Sequence, residues 1–77
     1  MNMTRGSYHI GTRIRGYLKA NGIKQTFVAE NTNLTDSKVS DILNERRNID
    51  CVEYFSICSV LGLPMEYFFE DFKHENQ

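Results

Sequence analysis

Tryptophan is absent from this chain of 77 residues, proline occurs once and cysteine twice. No apolar run approaches the roughly 20 residues that a spanning helix needs, and no signal-peptide pattern opens the sequence. A disulfide-stapled secreted module and a membrane protein are therefore not expected, which leaves a cytoplasmic protein as the default. Cys51 and Cys58 stand seven positions apart on one expected helix, about 10 Å along its axis, beyond disulfide reach. They read as small buried apolar groups or as reduced thiols. His9 and His74 lie near opposite ends of the chain, so the cysteines have no obvious co-ligands; neither metal nor cofactor is expected. Paired carboxylates, a nucleophile with its base and a phosphate-cradling glycine loop are all missing. So short a chain also leaves little room for a substrate cavity, and no enzyme is expected.

Charge of one sign is lacking too. Nine Lys/Arg face ten Asp/Glu, a net −1 that does not advertise a nucleic-acid binder. The distribution says more than the sum. Up to Arg47 there are eight basic residues against four acidic ones, and from Asn48 onward one against six. The molecule is dipolar, with a basic N-terminal part. Charges that merely coat a surface would account for the totals equally well.

What is present belongs to a globular chain, 40% apolar and 25% charged. Its length allows one domain, which buries only about 60% of its unfolded surface, so the fold should be helical, compact and modestly stable. The expected organisation is an N-terminal arm over 1–7, a helical domain over 8–72 and a polar tail over 73–77. Arg5 in the arm could reach a phosphate or a minor groove, or simply belong to a mobile terminus.

Periodicity divides the domain into helices. The first runs from about Tyr8 to Asn21 on Ile10, Ile14, Tyr17 and Leu18, weakened at Gly11 and Gly16 by about 1 kcal/mol each relative to alanine. Asn21-Gly22 ends it, with Gly22 left-handed and Ile23 folding back. Lys24-Gln25-Thr26 opens a second, short helix. A third spans about Asp36 to Asn44, with Val39, Ile42 and Leu43 inward and Asp36, Ser37, Lys38, Asp41 and Asn44 outward. Thr35 is its expected cap, and Asp36 suits its positive end. Asp50 and Glu53 have capping-box spacing, and Ile49 and Tyr54 that of a hydrophobic staple. The fourth helix carries Tyr54, Ile57, Cys58 and Leu61 as its core stripe, leaves Val52 and Phe55 off it, and stops at Gly62. Pro64 introduces a fifth short helix from Met65 to about Glu70.

The organising stretch is Gln25 to Asn44, where two helical patterns are joined by a tight turn. Ala29 stands where crossing helices come closest, and Asn33, tolerant of left-handed geometry, is the expected corner. This arrangement resembles a helix-turn-helix. Over Ile10 to Phe69 the chain resembles the five-helix DNA-binding domain of phage repressors, the XRE or Cro-like family. The resemblance is carried by Gln25, Val28-Ala29, Leu34, Val39-Ser40, Ile42-Leu43, Arg46-Arg47-Asn48 and LGLPMEYFF from Leu61 to Phe69. Asn33 and Glu45 stand where most members have Gly. Leu18 and Leu43 stand where many have an Arg–Glu ion pair, and these two leucines are expected to touch.

The resemblance implies an all-α, compact five-helix bundle of the lambda-repressor-like type that binds double-stranded DNA. It implies that Gln25 touches the backbone and braces the recognition helix, and that Arg46 and Arg47 lie along phosphates. The residue chemistry leaves other uses open: Gln25 and Thr26 as a polar first turn, and the arginines as partners of the third helix's C-terminal end. In a major groove Ser37 can donate or accept, Lys38 can pair with guanine or phosphate, and Asp41 can accept from cytosine. Two acids on that face are a cost near phosphates unless a donor meets them. The full candidate surface is Lys24, Gln25, Thr26, Thr35, Ser37, Lys38, Asp41, Asn44, Arg46 and Arg47.

One short helix gives few base contacts, so a homodimer on a palindromic operator is the expected form. Phe55, Phe68 and Phe72 are the candidate interface, since Tyr67, Phe68, Phe69 and Phe72 exceed what one short helix can bury in so small a core. The bland account is that these aromatics cap the core. The rival function is a protein-interaction module, such as an antirepressor, that keeps the fold without DNA affinity. The acidic C-terminal part and the two aspartates speak for it.

Overall fold

The computed structural model describes residues 9–69. The expected arm (1–7) and tail (73–77), together with Arg5 and Phe72, lie outside the described residues. Within them the chain is all-α, with four helices: α1 (Ile10–Ala20), α2 (Gln25–Glu30), α3 (Asp36–Leu43) and α4 (Cys51–Leu61). A single 3-10 turn, Tyr67–Phe69, follows them, and no strand occurs among the described residues.

The turn corrects the expected fifth helix, and a hydrogen bond accompanies it. An α-helix there would give the Met65 carbonyl to the Phe69 N–H, but the Tyr54 hydroxyl donates to that carbonyl instead. Tyr67 and Phe69 bond three residues back, to the Pro64 and Glu66 carbonyls at 3.0 and 2.9 Å, which is the tighter 3-10 pattern.

Asn33 is also corrected. The non-glycine residues with positive φ among those described are His9 and Glu45, so the corner between α2 and α3 is made without a left-handed residue. Thr32 makes it instead. Its hydroxyl donates to the Val28 carbonyl at 2.9 Å and accepts the Leu34 N–H at 3.1 Å, closing α2 and aiming the chain into α3. Asn31 adds a side-chain bond to the Phe27 carbonyl at 2.8 Å. With the last carbonyls so satisfied, nothing requires Asn33 to leave ordinary backbone space.

Other local signals hold. Thr35 accepts the Lys38 N–H and caps α3, while Asp36 sits in its first turn. Asp50 and Glu53 form both halves of a capping box at the start of α4. Gly22 and Gly62, at φ 65 and 71, close α1 and α4 in the same way. In each, the residue after the glycine bonds back to the carbonyl five residues earlier: Ile23 to Leu18 and Leu63 to Cys58, both at 2.9 Å.

The core is drawn from all four helices. Ile14, Val39 and Ile57 are fully buried, and Val28, Ile42, Leu43 and Cys58 nearly so. Leu18 and Leu43 are buried in one cluster, an apolar solution that avoids desolvating an ion pair. The C-terminal aromatics close the core's open end. Phe68 meets Tyr17 and Tyr54 edge-on, and Tyr54 also meets Phe69. Phe68 is 4% exposed, so as an interface candidate it is corrected: its surface is spent inside the subunit. Phe55, by contrast, is exposed.

Candidate nucleic-acid interface

The candidate surface is organised by how α3 starts and how it ends. At its start Thr35 holds the cap, which commits the hydroxyl to the helix's own backbone. Within the first turn Ser37 and Lys38 stand exposed, while Val39, Ile42 and Leu43 anchor the opposite side in the core. Lys24 and Thr26 are exposed at the start of α2, and Gln25 is half-buried. α2 packs against α3 with the small Ala29, 9% exposed, between them.

The C-terminal half of that face is more heavily bonded than the sequence suggested. Asp41 receives the Arg46 Nε at 3.0 Å, and the same guanidinium reaches the Ser40 hydroxyl at 3.3 Å. The acid that seemed costly on this face has its donor, and Arg46 takes up its alternative use at the end of α3. Asn44 has both ends of its amide engaged: Oδ1 accepts Arg15 Nη1 at 2.9 Å, and Nδ2 donates to the Ser40 carbonyl. Arg47 turns away toward α4, where its Nη1 bonds the buried Glu53 at 3.0 Å. Glu53 in turn holds the Asp50 N–H, so Arg47 is fixed by the same side chain that caps α4.

Two residues outside the expected set belong to this region. Arg15, on α1, is exposed and brings a guanidinium to the end of α3 through Asn44. Glu45 supplies the left-handed residue that ends α3, at φ 61. Its backbone repeats the motif of the glycine exits: Glu45 bonds to the Ile42 carbonyl at 3.1 Å and Arg46 to the Asp41 carbonyl at 2.8 Å. The side chain explains why a glutamate stands here. Its Oε2 accepts the Thr12 N–H at 2.8 Å and the Thr12 hydroxyl at 3.0 Å. α1 begins at His9 with no side-chain cap of its own, so Glu45 caps it from 33 residues away. Gly11 completes the junction, because a Cβ there would lie 1.9 Å from the Ile42 carbonyl oxygen. No local pattern announces any of these contacts. The one available sign was a glutamate where a glycine is usual.

Among the described residues no group of three or more His, Cys, Asp or Glu stands where it could hold a metal ion. Cys58 is buried, and burial pushes its thiol upward, which makes it a poor nucleophile. No described helix is long and apolar enough to cross a membrane. Compared with protein-family models, with curated proteins and with solved structures, the chain matches none.

Proposed function

We propose that this chain is a sequence-specific double-stranded DNA-binding regulator of the repressor type, acting as a homodimer with α3 in the major groove. The observation that carries the reading is that the N-terminal part of the outward side of α3 is polar and exposed. Ser37 and Lys38 stand exposed after a capped start, and the acid at Asp41 is neutralised by Arg46. Such a helix offers its N-terminal side chains to base edges while Lys24 and Arg15 offer positive charge to phosphates. Four helices followed by the Tyr67–Phe69 turn support, without completing, the five-helix arrangement that the sequence resembles.

The test is selection of bound sites from a random DNA pool, followed by affinity against salt. Binding to the selected site should weaken steeply as salt rises. Lys38→Ala should cost about 1–3 kcal/mol on that site and flatten the preference at one position, whereas Lys24→Ala should weaken all sequences alike. Lys24 is a cleaner phosphate probe than Arg47, whose removal also strands the buried Glu53. Absence of any DNA affinity at low salt overturns the reading. The interaction-module alternative has one observation of its own: Arg15, Arg46 and Arg47 all spend donors inside the subunit. It is selected if DNA affinity is absent and a protein partner is displaced by substitutions at Ser37 or Lys38.

A further inference from the structure

The guanidinium of Arg46 is held along one edge and open along another. Its Nε donates to Asp41 Oδ1 at 3.0 Å, and its Nη2 donates to the Ser40 hydroxyl at 3.3 Å. Those two nitrogens form the side edge of the planar fork, so acceptors on α3 fix both the place of the head and its plane. The end edge, one N–H from each of Nη1 and Nη2, has no hydrogen-bond partner among the described residues, and the side chain is 60% exposed. The holding residues also set where this edge stands. Ser37 and Lys38 precede Asp41 by four and three positions and so share its face of the helix. The arginine therefore lies over the side of α3 that those two exposed residues begin.

We infer that Arg46 reads a guanine through this end edge, with Asp41 and Ser40 as its positioning residues. Two parallel N–H donors fit the O6 and N7 acceptors of guanine, and they fit the paired oxygens of a phosphate as well. Charge decides between them. With the Asp41 carboxylate against it, the guanidinium belongs to a pair with no net charge, which gains little by approaching an anion. Its hydrogen bonds to an uncharged base edge are kept. A fixed plane also suits a flat base edge, whereas a phosphate offers acceptors in several directions. Asp41 thereby orients an arginine instead of accepting from cytosine. The inference rests on the DNA reading above, and adds which base one side chain recognises and what holds that side chain.

The test uses the full chain on its selected site. Replacing one guanine of that site by 7-deazaguanine, which lacks the N7 acceptor, should weaken binding about fivefold or more. Arg46→Ala should be indifferent to the same replacement, and Arg46→Lys should not restore the preference, because an ammonium has no fork. Asp41→Asn should relax the preference at that guanine while raising affinity for unrelated DNA, since it removes a negative charge near phosphates. An aspartate with a merely structural role would not move the two in opposite directions. The 7-deazaguanine measurement on the parent chain stands whatever the substitutions do to the fold. Binding in which no guanine needs its N7, or a sensitivity that Arg46→Ala retains, overturns the inference and leaves the DNA reading standing. So does an Arg46→Ala that weakens all sequences alike and lowers the salt slope by about 0.9, the mark of a phosphate contact. A preference lost in Asp41→Asn but kept in Arg46→Ala gives the reading to Asp41 and overturns it too. Absence of DNA affinity at low salt removes both readings together.

Discussion

Helices α3 and α4 stand side by side in sequence, bury one side each and are both capped at their starts, yet their free sides differ in kind. α3 turns Ser37, Lys38, Asp41 and Asn44 outward, and α4 turns Val52, Phe55, Ser56 and Ser59. Their exits differ as well: the same left-handed turn is made by Glu45 after α3 and by Gly62 after α4. The difference teaches that the two helices answer to different neighbours. α4 ends with a residue chosen for backbone freedom alone, while the end of α3 is joined to α1 by a side chain. A helix so fixed at its far end can hold its polar side at one angle, as reading a surface requires.

The largest break in that junction should come from Gly11→Ala. The added methyl would sit 1.9 Å from backbone, the Ile42 carbonyl oxygen, so α1 and α3 must move apart. A loss of about 3 kcal/mol or more is expected, the upper end of overpacking costs, read as a fall in the thermal midpoint. No equivalent exists on α4. Glu53→Ala is the nearest probe there: it removes one half of the capping box and leaves Arg47 without its partner. About 1–2 kcal/mol should be lost in denaturant unfolding, and the start of α4 should lose amide-exchange protection first. If Glu53→Ala costs more than Gly11→Ala, the claim that the α1–α3 junction is the tighter constraint is wrong.

Much of the fold was legible because its signals are local. Thr35, Asp50 with Glu53, Gly22 and Gly62 each act within a few residues of where they stand, and the apolar spacing in α1, α3 and α4 named the core directly. Three things escaped because they are made across the chain. The Tyr54 hydroxyl bonds the Met65 carbonyl from 11 residues away, where the chain coils as a 3-10 turn. Glu45 caps a helix that starts 35 positions before it, and Arg15 meets Asn44 across 29. Asn33 misled for a different reason. Its propensity for left-handed geometry is real, but Thr32, one residue earlier, satisfies the same carbonyls more cheaply. In the candidate site the exposed residues were visible in the pattern, and their internal partners were not. The aspartate that counted against a nucleic-acid surface could be judged only once Arg46 was seen to meet it.

The smallest effects are the most informative about the two exits. Gly62→Ala should cost about 1 kcal/mol, because φ 71 strains any residue with a Cβ while the space around it is open. Glu45→Gly should cost far less, on the order of 0–0.5 kcal/mol: it relieves a similar strain at φ 61 but gives up two bonds to Thr12, and at an exposed site the two nearly offset. Glu45→Ala keeps the strain and loses the bonds, so it should fall about 1 kcal/mol below Glu45→Gly in the same denaturant titration. The alanine–glycine gap at position 45 should therefore equal that at position 62, since both measure one backbone shape. Unequal gaps would mean that the exit of α3 relaxes when Glu45 is removed, and that the left-handed turn there is imposed by the side chain's hold on Thr12 rather than by the end of the helix.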